Sequence, residues 1–219
     1  MQHVTAAHRI LNDDNIFKNQ GDIAYKVLHM CNFIQKHSNH QSPLEHMNIT
    51  VRISDMSRAA SHQWVRHRLC AHSQQSQRYT TMASEDTYFA PGDILNNDEA
   101  YKVYTKTIDS IEKAALELQR LGIKNEDIRY LYPNAFTTQI VTTMNLRNWL
   151  HLFEERCCTH AQEEIRYIAY KIKHLLNQKI PFLISGAGPK CLKLKYCPEH
   201  KSCGYIDRRL KLESDVTKD

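Results

Sequence analysis

Residues 47–79 read MNITVRISDMSRAASHQWVRHRLCAHSQQSQRY, and three different patterns follow one another in this stretch. In residues 47–53 every second side chain is apolar, which is the period of a strand with one buried face. Residues 57–65, SRAASHQWV, predict a short helix. Residues 66–79 then bring three arginines, two histidines and three glutamines, a composition that predicts a polar loop and neither an amphipathic helix nor a half-buried strand.

Patterns on both sides of this stretch predict the remaining fold. Apolar residues recur at helical spacing in three further regions, and residues 137–143, TTQIVTT, are β-branched and strand-like. Because strands do not alternate regularly with helices, we predict an α+β fold with a central antiparallel sheet flanked by helices. The predicted helices are 23–33, a helix at 98–121 that ends at Gly122 and carries Val103, Ile111, Ala114, Leu118 and Leu121 on one stripe, a helical turn at 125–133, and a final helical region at about 145–177.

The composition limits the class of protein. The 219 residues are enough for a single domain with one substantial core. No run of about 18 apolar residues occurs, which excludes a membrane span, and the N-terminus lacks the pattern of a secretory signal, so we expect a cytoplasmic location. The seven cysteines do not predict a disulfide framework, and the net charge of +5 favours anionic partners.

The polar residues at 66–78 suit an anionic ligand. Arginine presents a planar fork of donors that matches phosphate and carboxylate groups, and three arginines with serine and glutamine between them would suit a phosphate-rich molecule. Two alternatives fit the same composition. One is a solvated basic loop, and the other is non-specific nucleic-acid binding, although the basic residues do not extend into a stripe.

The same stretch carries a recognisable signature. RHR at 66–68, seven residues and then Ser76 resemble the signature of the flavin-dependent thymidylate synthases, and SQRY at 76–79 extends the similarity. Five further blocks resemble this family in order and spacing over about residues 22–180: SPLEH at 42–46, SRAASHQWVRHR at 57–68, DIRYLYPNA at 127–135, NLRNWLHLFEER at 145–156 and HAQEEIR at 160–166. The first twenty residues and the Cys-rich tail at 185–219 contribute little to the resemblance.

The resemblance implies an activity and an assembly. Members of this family convert dUMP to dTMP with 5,10-methylenetetrahydrofolate as carbon donor, NADPH as reductant and FAD as redox carrier. They are homotetramers whose active sites combine several subunits, which implies self-association, with neither a nucleic-acid nor a membrane partner. Two other functions stay open: an FAD-binding paralogue without synthase activity, and a nucleic-acid-binding protein that uses the 66–78 cluster.

The resemblance also implies individual residue roles. The residues expected to bind FAD are Ser42, Glu45, Arg66, His67, Arg68, Asn145, Arg147, His151 and His160, and His40 lies where the family often has a histidine near the flavin ring. The residues expected to bind dUMP are Gln63, Gln74, Gln75, Ser76, Gln77, Arg78, Arg129 and Arg156.

The chemistry of the reaction narrows the catalytic roles. Ordinary thymidylate synthases attack uracil with a cysteine thiolate, but their Pro-Cys-His signature is absent and Cys70 lies beside the matched positions. A serine nucleophile needs a partner base, which the sequence does not identify, so we assign Ser76 to nucleotide binding. Arg156 is expected to stabilise negative charge that develops on the pyrimidine carbonyls.

Other motifs are absent or ambiguous. The chain has no Gly-x-Gly-x-x-Gly, and SGAGP at 185–189 lacks a predicted helix after it, so a Rossmann-type cofactor site is not expected. In the tail, Cys191, Cys197, His200 and Cys203 are acceptable zinc ligands, although the spacing differs from the usual two pairs. Free thiols in a reducing compartment and a disulfide are the alternatives.

Overall fold

The computed structural model describes residues 41–78 and 88–216, and side chains up to residue 211. The chain divides into two compact units. The first comprises Arg52–Thr142, and the second comprises the described residues up to Val51 and from Thr143 onward. The predicted helix at 23–33 lies outside the described residues, and the single domain stays a prediction. The described residues contain no helix long and apolar enough to cross a membrane.

The strands of the described residues form a three-stranded antiparallel sheet in the order β1-β3-β2. They are β1 (Asn48–Ser57), β2 (Cys70–Gln74) and β3 (Thr137–Asn145). The boundary between the units falls within β1 and β3. In β1, Ile49, Val51 and Ile53 are buried while Arg52 and Ser54 are exposed, which confirms the predicted alternation. Both predicted strands and the mixed α and β architecture are confirmed.

The prediction of an unbroken loop at 66–79 is wrong, because residues 70–74 form β2. This strand buries none of its side chains fully, so it lacks the apolar alternation that marks β1. Its pairing with β3 extends one residue beyond the strand, since the N–H of Gln75 donates to the carbonyl of Gln139 at 2.9 Å. Cys70, His72 and Gln74 share its half-buried face, where polar partners replace apolar contacts.

The first unit places short helices around a long one. The helices are α1 (Arg58–Trp64), α2 (Gly92–Leu95), α3 (Asp98–Arg120), α4 (Asn125–Ile128) and a 3₁₀ turn at Arg129–Leu131. All but α2 were predicted from the sequence. Ser57 begins α1, since its hydroxyl accepts the N–H of Ala60 at 3.0 Å. Trp64, at the other end of α1, is fully buried together with Met56 and Ile140.

The long helix α3 ends as predicted but does not pack as predicted. Gly122 has φ +78°, its N–H bonds to Gln119, and the next N–H bonds to Leu118, a Schellman arrangement that only glycine adopts without strain. The predicted apolar stripe is not a core stripe, because Ala115 is the buried residue of α3 and Val103 is 68% exposed. Within the first unit, α3 contacts α2, α4 and the 3₁₀ turn.

The second unit is helical. It contains a 3₁₀ helix at Ser42–His46, then α5 (Leu146–Arg156), α6 (Glu163–Lys179), α7 (Pro181–Ile184), α8 (Lys190–Leu194) and α9 (Tyr205–Val216). The predicted helical region at 145–177 is confirmed as two helices with a break at 157–162. The statement that no helix follows SGAGP is wrong, since α8 begins at Lys190, although it has only five residues.

Helix α5 provides the largest buried side chains of this unit. Leu146, Trp149, Leu152 and Phe153 recur at helical spacing and have no exposed surface. Burying a large apolar side chain contributes about 1.5–3 kcal/mol, so this face is a main source of stability. The indole N–H of Trp149 also donates to the carbonyl of Ile49 at 3.2 Å, which ties α5 to the first half of β1.

We predict that Phe153→Ala lowers the free energy of unfolding by about 3–5 kcal/mol, because it opens a cavity in this packed face. Denaturant unfolding followed by circular dichroism measures the change. Tyr167→Ala is the matched control, since Tyr167 is 61% exposed on α6, and it should cost less than about 1 kcal/mol. Equal losses in the two variants would show that α5 does not stabilise the unit in this way.

Candidate flavin and nucleotide site

The RHR signature forms the turn that follows α1. Arg66 N–H bonds to the carbonyl of Gln63 at 3.4 Å, and His67 N–H bonds to the carbonyl of Trp64 at 3.2 Å, so the last turn of the helix runs into the signature. Arg66 and Arg68 are exposed and His67 is half-buried. The turn therefore presents two guanidinium groups to solvent on a backbone that is fixed to α1.

A chain of hydrogen bonds connects this turn to the buried interior of the unit. The Cys70 thiol donates to the carbonyl oxygen of His67 at 2.8 Å, and Cys70 Sγ lies 3.1 Å from His72 Nε2. His72 Nδ1 lies 2.9 Å from the hydroxyl of Thr142 on β3. The same hydroxyl accepts the indole N–H of Trp64 at 2.9 Å. Three side chains, those of Thr142, His72 and Cys70, thus link the core tryptophan to the backbone of the signature.

The donors of this chain fix its direction. The Cys70 thiol has one hydrogen, which goes to the carbonyl of His67, so its sulfur accepts from His72 Nε2. In a neutral imidazole the other nitrogen then accepts, and the Thr142 hydroxyl donates to it. Cys70 therefore serves as a structural donor here, and burial raises the pKa of its thiol, which disfavours the thiolate.

Residues 74–78, expected to bind dUMP, begin with Gln74, the last residue of β2, and continue directly beyond the strand. Gln74 donates to the hydroxyl of Ser61 at 3.1 Å, and Gln77 accepts from Arg58 at 3.0 Å. The Ser76 hydroxyl accepts the main-chain N–H of Arg78 at 3.2 Å, which closes a tight turn. Gln75 and Ser76 are exposed, while Gln63 on α1 donates to the carbonyl of Ala59 at 3.4 Å.

Three arginines of the first unit contribute positive charge here: Arg78 lies in this segment, and Arg58 and Arg129 lie outside it. Arg78 pairs with Glu126 at 2.8 Å, and Arg58 holds Gln77. Burial, and then the charge of Arg129, lower the pKa of Arg58, which places the two guanidinium groups within electrostatic range of each other. An anion between them would relieve this repulsion. In this unit Gln77 bonds to Arg58, an arginine that was not predicted, Gln74 bonds to Ser61 of α1, and Arg78 pairs with Glu126, while Arg129 lies within electrostatic range of Arg58. Gln63, Gln75 and Ser76 belong to the same unit.

In the second unit, part of the set expected to bind FAD meets at the start of α5. Arg147 forms an ion pair with Glu45, both about half exposed, and the 3₁₀ helix that begins at Ser42 packs against α5. Asn145 begins α5, since its side-chain oxygen accepts the N–H of Asn148 at 2.9 Å. The oxygen of Asn145 therefore has a structural role as a helix cap.

The remaining predicted residues of the second unit lie towards the end of α5 and beyond it. Lys190 bonds to Glu155 at 2.9 Å and lowers the pKa of that carboxyl group, and the charges of His151 and Arg156 lower it further. His151 and Arg156 therefore both lie near Glu155. His160 lies in the break between α5 and α6, exposed, with Nε2 2.9 Å from the carbonyl oxygen of Lys201.

Two residues of the sequence argument, His40 and Tyr79, lie outside the described residues. The other predicted residues divide between the units, and each unit gathers its own subset. The first holds the RHR turn and the residues expected to bind dUMP, apart from Arg156. The second holds Arg156 and the other residues expected to bind FAD.

Comparison with known proteins identifies the family. A family model described as "Thymidylate synthase complementing protein" matches residues 2–182. The chain belongs to this family. Curated relatives named flavin-dependent thymidylate synthase are 41% identical over 177 residues in Nitratidesulfovibrio vulgaris, covering 76% of this chain and 72% of the relative. The relative in Geobacter sulfurreducens is 41% identical over 167 residues (75% and 72%), and that in Pyrococcus abyssi is 38% identical over 169 residues (74% and 69%).

The resemblance seen in the signature blocks is thereby confirmed, although sequence reasoning missed several residues around the Thy1 signature. Arg58 lies within the block SRAASHQWVRHR, and a basic residue in the first turn of a predicted helix was the signal available for it. The pairing of His72 with Thr142 had no signal, because 70 residues separate the partners along the chain.

We predict that Thr142→Val lowers the free energy of unfolding by about 1–3 kcal/mol, because the buried N–H of Trp64 loses its acceptor. Denaturant unfolding measures the loss. Thr142→Ser is the matched control, since it keeps the hydroxyl and removes one methyl group, for which about 0.8 kcal/mol is expected. If serine and valine cost the same, the hydroxyl does not sustain the hydrogen-bond chain.

Proposed function

We propose that this chain is a flavin-dependent thymidylate synthase that converts dUMP to dTMP. The observation that carries the proposal is the RHR turn with residues 74–78 held on the same unit, in a chain that belongs to the Thy1 family. Exposed guanidinium groups and amide side chains lie on both sides of the short strand β2. This donor set suits two phosphate-bearing ligands in neighbouring positions.

For dUMP, the first unit has arginines that suit the phosphate and glutamines that suit the pyrimidine. Arg78 and Arg129 would bind the phosphate, with Arg58 as an additional cation that also positions Gln77. The pair of Arg78 and Glu126 is exposed and contributes little stability, so an incoming phosphate can replace the carboxylate at little cost. Gln63, Gln74, Gln75 and Gln77 would supply the donors and acceptors that a pyrimidine edge needs.

For FAD, the fitting donors are Arg66, Arg68 and Arg147, which suit its pyrophosphate, together with Ser42, Glu45, Asn145, His151 and His160. When bound, FAD supplies the reducing equivalents of the reaction. The protein's own contribution is orientation: the hydrogen bond from the Cys70 thiol holds the carbonyl of His67 and so sets the turn that would contact the cofactor. NADPH as reductant and 5,10-methylenetetrahydrofolate as carbon donor complete the proposed reaction.

Arg156 and Ser76 have different proposed roles. Arg156 would place a fixed positive charge where negative charge develops on the pyrimidine carbonyls. Ser76 would bind the nucleotide, and its hydroxyl already accepts the N–H of Arg78. The Cys70 thiol does not take the nucleophile's role in this proposal, since it is committed to the carbonyl of His67 and its raised pKa disfavours the thiolate.

Assembly with further copies of this chain is part of the proposal. Helix α3 is amphipathic over 23 residues, yet Tyr101, Val103 and Leu116 are 43%, 68% and 60% exposed. An amphipathic helix gains its stability by burying its apolar face, so a second copy is the proposed cover. A homotetramer with active sites shared between subunits is the assembly that the family resemblance implies.

Two experiments test the function: measurement of bound flavin in the purified protein, and complementation of a strain that lacks thymidylate synthase. The purified chain should be yellow and should retain FAD, and dUMP should change the rate at which the reduced flavin is reoxidised. Expression should allow a strain without thymidylate synthase to grow in the absence of thymidine. A protein that holds FAD but does not support growth would be a paralogue without synthase activity. A colourless protein that binds nucleic acid in a strongly salt-dependent way would contradict the proposal.

We predict that Ser76→Ala still forms dTMP, with a KM for dUMP raised by roughly tenfold or less, the cost of one lost hydrogen bond. Steady-state kinetics with varied dUMP measures this. Ser73→Ala is the matched control, since Ser73 is exposed on β2, and its KM should not change. Complete loss of turnover by Ser76→Ala with intact dUMP binding would instead make this serine the nucleophile.

A further inference from the structure

Leu69, the residue after the RHR signature, has a backbone conformation that leucine does not favour. Its φ is +60°, in the left-handed region, and its side chain is 85% exposed. For a residue other than glycine, this conformation is disfavoured by a factor of roughly 5 to 30. Such strain persists only where the surrounding structure holds the backbone in place. The neighbours of Leu69 must therefore supply that support.

The strain arises because both ends of the turn are fixed. The N–H of His67 bonds to the carbonyl of Trp64 at 3.2 Å, so the chain is still attached to the last turn of α1 at this point. Strand β2 begins at Cys70 and pairs with β3. Only Arg68 and Leu69 lie between these two attachments, and the chain has no further residues over which to spread the change of direction.

A pair of side chains, the Cys70–His72 clamp, closes the turn across Leu69. The Cys70 thiol donates to the carbonyl oxygen of His67 at 2.8 Å, and His72 Nε2 lies 3.1 Å from the sulfur and 3.4 Å from the same oxygen. Because the imidazole donates to the sulfur, the single thiol hydrogen points to the carbonyl. His72 Nδ1 in turn lies 2.9 Å from the hydroxyl of Thr142, which anchors the clamp on β3.

The clamp acts on the segment that carries the exposed arginines of the signature. Arg66 and Arg68 lie on the helix side of Leu69, and both are expected to contact FAD. If the turn relaxed, Leu69 would leave the left-handed region and Arg68 would move with the backbone. Apparent affinity falls in proportion to the fraction of protein in the binding-competent conformation, so a turn that is held before binding retains more of its intrinsic affinity.

We propose that Cys70 and His72 are positioning residues for FAD, because their clamp keeps the strained turn at Leu69 in the conformation that presents Arg66 and Arg68. This inference rests on the proposed function, since it concerns the binding of FAD. Neither side chain is assigned a contact with the cofactor, and both act through the backbone of the turn. Loss of the clamp should therefore weaken FAD binding and leave the chemical step unchanged.

The test measures the dissociation constant of FAD for the full chain, from the change in flavin fluorescence, and kcat at saturating FAD. Cys70→Ala should raise the dissociation constant by roughly 5- to 30-fold, the factor by which the left-handed conformation is disfavoured, with kcat unchanged. Cys70→Ser keeps a donor for the carbonyl of His67 and should restore most of the affinity. His72→Phe removes the donor to the sulfur and should weaken FAD binding as Cys70→Ala does. Ser73→Ala, exposed on β2, is the matched control and should bind FAD as the wild-type chain does.

Two substitutions of Leu69 separate the strain from the loss of the side chain. Leu69→Ala and Leu69→Gly both remove the exposed apolar group, but only glycine adopts a positive φ without strain. In the Cys70→Ala background, Leu69→Gly should therefore bind FAD roughly threefold or more tightly than Leu69→Ala. With Cys70 intact and without FAD, denaturant unfolding should show Leu69→Gly to be more stable than Leu69→Ala.

The outcomes distinguish this inference from the proposed function. A wild-type chain that binds no FAD would overturn both. If the wild-type chain binds FAD, the inference alone is overturned by unchanged affinity in Cys70→Ala, by a fall of kcat at saturating FAD, or by a Cys70→Ser variant as weak as Cys70→Ala. Equal stabilities of Leu69→Ala and Leu69→Gly would also overturn it, and this comparison decides the matter if Cys70→Ala does not fold.

Discussion

The hydrogen bond from the indole of Trp64 to the hydroxyl of Thr142 is the interaction on which the arrangement of the first unit depends. Trp64 is fully buried and its N–H can only donate, so an acceptor must be supplied inside the core. Thr142 supplies it from β3 and serves His72 at the same time. The position of β2 and of the signature turn thus depends on the acceptor that the buried N–H of Trp64 requires. A binding turn with this support is held more firmly than one on a free loop.

The charged side chains of the candidate site divide into two kinds. Arg78 and Arg147 have carboxylate partners, Glu126 and Glu45, in exposed pairs that contribute little stability. Such pairs keep an arginine oriented until an anionic ligand takes the place of the carboxylate. Arg58 is of the second kind, partly buried near the like charge of Arg129, and its lowered pKa reflects an environment that favours an added anion.

The elements that could be predicted from sequence are those whose order comes from apolar burial or from local chain geometry. Strand β1 is recognisable because apolar and polar side chains alternate along it. Helix α3 ends at Gly122, where the backbone takes a left-handed conformation that suits glycine. Strand β2 could not be predicted, since its side chains find polar partners in other segments. The signature blocks supplied most of the residues proposed for the site, and the roles of these residues stay predictions. Arg58 and Thr142 escaped because their roles depend on contacts 19 and 78 residues away along the chain.

The Cys-rich tail gives a second example of contacts that the sequence does not show. Spacing groups Cys191, Cys197, His200 and Cys203 because they are close in sequence, whereas the fold brings Cys158, from the far side of α6, to a cavity that the three cysteines of this group also line. Distance along the sequence does not show which cysteines line one cavity, because the 17-residue helix α6 lies between Cys158 and the tail. Burial and the neighbouring thiols raise the pKa of Cys191, so this thiol stays protonated. The fold thus changes the chemistry of these cysteines in a way that their spacing in the sequence does not show.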